Sequence, residues 1–140
     1  MTQQFEGFFR KELVKELRSV ARLMKNEKDP EKKIYYFSAA YGITSRTYRY
    51  VFSGEVLLAD LVLHSTYQSL INRYQKIKSG ETTVVIDDKV FDALYEGLQV
   101  LASSFEDTKP IQVALEQILT IGFSVSGTGN YLKEKGMFTL

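Results

Sequence analysis

The clearest fold signal in this chain lies in residues 87–105, which read DDKVFDALYEGLQVLASSF. Large apolar side chains recur there at intervals of three and four residues, the spacing that places them on one face of an α-helix: Phe91, Leu94, Leu98, Leu101 and Phe105. Asp87 or Asp88 offers a carboxylate suited to cap the first turn of this helix. The segment therefore predicts a helix that ends near Phe105 and presents a continuous apolar seam to a helical core.

Upstream of this seam, the sequence predicts three longer helices. The first spans residues 4–26, and its apolar face contains Phe9, Leu13, Leu17, Val20 and Met24. Asp29 and Pro30 suit the N-cap and first position of a second helix, which runs to about Phe52 and is apolar over most of its circumference. A third helix is expected over residues 55–78, with Ser53 as its cap and Ser79-Gly80 as its end.

The remaining segments complete an all-α pattern. Thr82–Ile86 is short and β-prone, which indicates either an extended loop or a segment that pairs across a dimer. A fifth helix should follow Pro110 over residues 111–124 and be largely buried, with a loop at 126–130 and a final turn at 131–136. Short connections favour antiparallel neighbours, so residues 1–140 are predicted to form one antiparallel bundle of about five helices.

Composition excludes several classes of function. The chain has 140 residues, the usual size of one domain, and contains no cysteine, which removes disulfides, thiolate metal sites and cysteine nucleophiles. No uninterrupted apolar run has the length of a transmembrane helix or a signal peptide. We therefore expect a cytoplasmic protein with no membrane contact, no metal site and no cofactor.

The charge is unevenly distributed, although the formal net charge is only +1. Residues 1–53 hold eleven Lys/Arg against six Asp/Glu, and residues 54–140 hold seven against eleven. A basic stripe on the first helix contributes much of this difference: Lys11, Lys15, Arg18, Arg22 and Lys25. Such a stripe is either an anion-binding or nucleic-acid-binding face or, as we favour, the solvated side of an amphipathic helix.

Three further polar sets are candidates for function. Asp60, His64 and Tyr67 share one face of the third helix, where a carboxylate can orient a histidine for acid–base chemistry, although a structural polar patch is favoured. Arg46 and Arg49 are interpreted as ion-pair or interface residues that meet carboxylates of the acidic half. Carboxylates on one face of the fourth helix are interpreted as an acidic surface rather than a metal site: Asp88, Asp92 and Glu96.

Taken together, these features favour a non-enzymatic helical interaction or scaffold module. The second helix and the front of the third are more apolar than a small monomer readily covers, which predicts a homo-oligomer or a protein partner at those helices. Two alternatives stay open. The basic face of the first helix can bind nucleic acid, or Asp60 and His64 can form the centre of an enzyme.

Overall fold

A computed structural model describes residues 2–83 and 85–126, with side chains from Phe5 onward. Five α-helices follow one another: α1 (Thr2–Asn26), α2 (Pro30–Tyr50), α3 (Gly54–Lys78), α4 (Asp88–Glu106) and α5 (Gln112–Ser126). The predicted all-α bundle of about five helices is confirmed. The predicted loop at 126–130 and turn at 131–136 lie outside the described residues, except for Ser126, which closes α5.

The helix ends follow the local chemistry of the sequence in most places. Asp29 accepts a hydrogen bond from the backbone N–H of Glu31 at 3.1 Å, and Asp87 accepts one from the N–H of Lys89 at 2.9 Å. Ser53 occupies the N-cap position of α3, but its hydroxyl makes no capping hydrogen bond. The prediction that Ser53 caps α3 is therefore confirmed in position, and its backbone carbonyl, not its hydroxyl, engages the first turn.

The connections correct one prediction and agree with another. The chain leaves α2 at Val51, which turns into the interior and is buried, whereas Phe52 is 80% exposed beyond the helix end. The second helix was expected to run to about Phe52, but α2 ends at Tyr50, and the turn toward α3 buries Val51 and leaves Phe52 outside. In the linker between α3 and α4 the described residues form no strand, in agreement with an extended loop.

The helices pack in a closed ring: α1 against α2 and α4, α2 against α3, and α5 against α3 and α4. Most neighbours run antiparallel, as contacts between α1 and α2 show, where Glu16 meets Arg46 and the Met24 carbonyl meets Lys33. Helices α3 and α5 run parallel, since Thr66 lies beside Ile118 and, further along both helices, Arg73 reaches Val125.

The interior of this ring is lined by the predicted seams. All five seam residues of α4 are buried, together with the α1 residues from Leu13 to Met24 that were predicted on its apolar face. One face of α5 is buried, but Val113 on its outer side is 62% exposed. The prediction of a largely buried α5 is thus too broad, because α5 packs only on α3 and α4. None of the described helices combines the length and apolar content needed to cross a bilayer.

Candidate functional site

The largest concentration of positive charge lies in a groove between α1 and the end of α4. This basic groove has a volume of about 610 Å³ and is lined by Arg10, Lys11, Val14, Lys15, Arg18, Arg22, Phe105, Glu106 and Thr108. Four stripe residues predicted from the sequence line it, and Arg10 joins them from the same helix. The antiparallel packing of α1 on α4 adds Phe105 and Thr108, which no pattern within α1 indicates.

Arg18 is anchored in the groove by a two-point contact with α4. Its guanidinium donates to both carboxylate oxygens of Glu106, at 3.1 and 3.0 Å, and to the Ser103 hydroxyl at 3.2 Å. The hydrogen bonds from Arg18, and next its charge, hold the pKa of the Glu106 carboxyl below its usual value. The same contact raises the pKa of Arg18. Arg18 therefore joins α1 to α4 and neutralises the acidic residue of the groove.

Lys25, the last member of the predicted stripe, belongs to a different contact. Its Nζ lies 4.3 Å from the centroid of the Tyr95 ring on α4, a cation–π geometry. In the described part of the chain, no carboxylate lies within ion-pairing distance of four groove cations: Arg10, Lys11, Lys15 and Arg22. Two residues of the predicted stripe, Arg18 and Lys25, therefore contact α4. The positive charges of the other three have no carboxylate partner among the described residues: Lys11, Lys15 and Arg22.

Asp60 does not orient His64. Its carboxylate accepts a hydrogen bond from the Thr44 hydroxyl at 2.7 Å and from the Ser45 hydroxyl at 3.0 and 3.1 Å. Both donors lie on α2, so Asp60 forms a polar contact between α2 and α3. The sequence places Asp60 and His64 on one helix face but gives no indication that neighbouring hydroxyls occupy the carboxylate.

His64 and Tyr67 meet around a residue of α2. The Tyr41 ring lies 5.0 Å from the His64 ring and 5.4 Å from the Tyr67 ring, measured between centroids. His64 is exposed and Tyr67 is half-buried. The structure therefore brings His64 and Tyr67 together as an aromatic contact between α2 and α3, while Asp60 binds elsewhere along the same interface.

The two arginines at the end of α2 have different surroundings. Arg46 pairs with Glu16 of α1 at 2.8 Å, and its Nε is buried without a hydrogen-bond partner. The prediction that Arg46 meets the acidic half of the chain is wrong, because antiparallel packing places a carboxylate of α1 beside it. Arg49 is exposed and has no ion pair among the described side chains.

A second unusual surface, here termed the apolar end, lies where α1 and α3 begin and α2 ends. Its exposed members are Phe5, Phe8, Tyr50, Phe52, Leu57, Leu58 and Leu61. Phe9 stacks on Tyr50 with ring centroids 4.5 Å apart, and Phe5 contacts both rings. The leucines project from α3 opposite its buried face, so no other helix of the described bundle covers them.

The predicted apolar interface of α2 is used mainly inside the chain. Because α2 packs between α1 and α3, Ile34, Phe37 and Ala40 are buried, and the exposed aromatic side chains within α2 are Tyr35 and Tyr50. The front of α3 is the part that remains exposed. The sequence pattern predicts this helix front but not Phe5, Phe8 and Phe52, because their exposure depends on how the helix ends meet.

The carboxylates of α4 lie apart from both surfaces. Asp88, Asp92 and Glu96 are all exposed, and Glu96 lines a shallow groove between α4 and α5. Within residues 2–83 and 85–126, no three His, Asp or Glu side chains are grouped closely enough to hold a metal ion.

Comparison of this chain with protein-family models, curated proteins and solved structures gives no match.

Proposed function

We propose that this chain is a helical interaction module that self-associates through its apolar end. The observation that carries the proposal is the outward row of Leu57, Leu58 and Leu61 next to Phe52, whose side chain is the most exposed large apolar group described. Exposed apolar surface of this extent typically marks a protein–protein contact. The cysteine-free composition supports a reducing, cytoplasmic setting for this contact.

The area of the apolar end supports a second copy of the chain as the partner. A fully exposed aromatic side chain presents about 200 Å², so the exposed fractions of Phe5, Phe8, Tyr50 and Phe52 amount to about 470 Å². The three leucines, 36% to 56% exposed, add further apolar area at the start of α3 toward the roughly 800 Å² that each partner contributes to a standard interface.

The charge around this surface supports the same arrangement. Between Phe52 and Leu61 the charged side chains are Glu55 and Asp60, and Asp60 is hydrogen-bonded to α2. Depletion of charge at the centre is typical of stable interfaces. The surface also combines aromatic rings with leucines, and aromatic side chains are the anchors that most often carry binding energy.

Light scattering coupled to size exclusion tests the proposal directly. The wild-type chain is expected to run as a dimer at micromolar concentration. Leu58→Glu combined with Leu61→Glu should weaken association by at least about thirtyfold, since buried anchor positions contribute about 2 kcal/mol or more. Circular dichroism should show unchanged helix content, because both side chains point away from the core.

The matched control is Val113→Glu, which introduces a carboxylate at an exposed apolar position on α5, 62% exposed against 47% and 56% for the two leucines. This variant should remain dimeric. A monomeric wild-type chain, or equal dissociation of the control, would contradict self-association through the apolar end.

A further inference from the structure

The basic groove carries more positive charge than the fold uses. Arg18 binds Glu106 and Lys25 lies over Tyr95, so these two cations join α1 to α4. The four uncompensated cations, Arg10, Lys11, Lys15 and Arg22, do not take part in either contact. Unpaired charges of one sign beside low-dielectric walls produce a focused potential that attracts anions.

The walls of the groove and its surroundings add apolar surface to this charge. Val14 and Phe105 line the groove between the cations and are themselves nearly buried. Phe8 precedes Lys11 by three residues and Lys15 by seven, which places it on the same face of α1. Its ring is 57% exposed, so one side of it is free to receive a flat partner.

The row of cations is longer than one anionic group. From Arg10 to Arg22 the helix advances by about 18 Å, given its rise of about 1.5 Å per residue. A single phosphate or carboxylate contacts only a fraction of this row. A chain of successive phosphates that runs along α1 contacts several cations at once.

We infer that the basic groove binds the phosphate backbone of a single-stranded nucleic acid, with one base stacked on Phe8. Proteins that bind single strands combine a basic groove with aromatic rings that accept bases of any sequence. The groove cations lie outside the apolar end, but Phe8 belongs to both surfaces, so self-association should compete with base stacking on Phe8 and not with the phosphate contacts.

A rigid duplex fits the surface less well than a flexible strand. The same α1–α4 pair carries the exposed carboxylates Asp88, Asp92 and Glu96 toward its other end. A duplex lying along the pair meets these carboxylates, whereas a short strand can end before them. The net charge of +1 also falls short of the basic excess of typical duplex-binding domains.

Fluorescence anisotropy with labelled oligonucleotides tests the inference. The probes are single strands of uridine and thymidine of about ten nucleotides, a duplex of equal length and a polyglutamate peptide. The full chain should bind either single strand more tightly than the duplex or the peptide. Between about 50 and 200 mM salt, the logarithm of affinity should fall with a slope of about −2 to −3, because three to four phosphates are contacted.

Charge reversal then locates the site. Lys11→Glu combined with Lys15→Glu should weaken single-strand binding by about tenfold or more and flatten the salt slope. Lys32→Glu combined with Lys89→Glu makes the same change in net charge at exposed positions of α2 and α4, and should have little effect. Phe8→Ala should weaken binding about fivefold and leave the salt slope unchanged, because it removes stacking and no charge.

Several outcomes would overturn the inference. Absence of single-strand binding at low salt would do so, as would equal affinity for duplex or polyglutamate. An equal loss in the Lys32 and Lys89 variant would assign the binding to net charge and not to the groove. Circular dichroism of each variant establishes that the bundle is folded before binding is compared.

Discussion

The α3–α5 and α1–α4 contacts join their helices in contrasting ways. At α3–α5 the backbones approach closely: a Cβ added at Gly122 would lie 3.1 Å from the Thr66 Oγ1 and 3.3 Å from its Cα. Farther along, Arg73 donates two hydrogen bonds to the Val125 carbonyl, at 3.0 and 2.8 Å. This contact combines a close approach of the two backbones at Gly122 with hydrogen bonds from Arg73 to a backbone carbonyl.

The α1–α4 contact relies instead on hydrogen bonds between side chains. Arg18 reaches across to Glu106 and Ser103, and the space beside them forms the basic groove of about 610 Å³. A groove of about 600 Å³ also borders the α3–α5 contact near Arg73 and Val125, so the α1–α4 groove differs in its unpaired positive charge and not in its volume. Close packing at α3–α5 thus stabilises the bundle, whereas α1–α4 presents positive charge that the fold leaves unpaired.

The largest expected effect concerns the close approach at Gly122. Gly122→Ala should lower the free energy of unfolding by about 2 kcal/mol, because the backbone of Thr66 cannot move aside as a side chain can. Urea denaturation monitored by circular dichroism measures this change. Binding of single strands at the basic groove should be unaffected in the folded protein.

Gly42→Ala is the matched control for that substitution. Gly42 lies within α2, is exposed, and has no atom within 4 Å of an added Cβ. The same change should therefore stabilise the protein by up to about 1 kcal/mol through helix propensity alone. If Gly122→Ala and Gly42→Ala change the free energy of unfolding in the same direction, the close backbone approach at Gly122 does not set the α3–α5 contact apart from an ordinary helix position.

An intermediate effect is expected at Arg73. Arg73→Met keeps much of the aliphatic length of the side chain but removes both donors to the Val125 carbonyl in the last turn of α5. The loss should be about 1 kcal/mol, the usual net contribution of such bonds at a partly buried site. Hydrogen exchange of the α5 amides should accelerate more than that of α1, and uniform acceleration would contradict a local role.

The sequence predicts those features of the fold that depend on spacing within one helix. The α4 seam and the caps at Asp29 and Asp87 follow from local periodicity and chain chemistry, and they agree with the structure. The end of α2 does not follow from local periodicity, because whether Val51 or Phe52 turns inward depends on the route of the chain to α3. That route is set by packing between helices and has no signature in either residue.

The candidate sites depend even more on contacts between helices, which the sequence does not predict. The basic stripe predicts which α1 side chains point outward, but only the pairing of α1 with α4 separates Arg18 from its unpaired neighbours. Likewise, Asp60 and His64 share a helix face, yet the hydroxyls of α2 determine the partner of Asp60. Which helices are neighbours is the information that a single sequence does not contain.

The smallest effect should appear at Glu106 and depend on pH. Its pKa is lower in the folded chain than the ordinary value of 4.5, so its contribution to stability is present at neutral pH and is lost as the pH falls through the acidic range. Glu106→Gln removes this contribution, and stability should decline less steeply with acidification than in the wild-type chain. Urea denaturation at a series of pH values measures the slope.

Arg18→Met should give the same shallower slope, because it removes the hydrogen bonds and charge that lower the pKa of Glu106. The double variant should then add little to either single change, as expected for two groups that act through one contact. An acid profile of Glu106→Gln identical to that of the wild-type chain would mean that this ion pair does not couple α1 to α4. The basic groove would then depend on the apolar contacts of Val14 and Phe105 for its shape, and the contrast with the α3–α5 contact would narrow to the presence of unpaired charge.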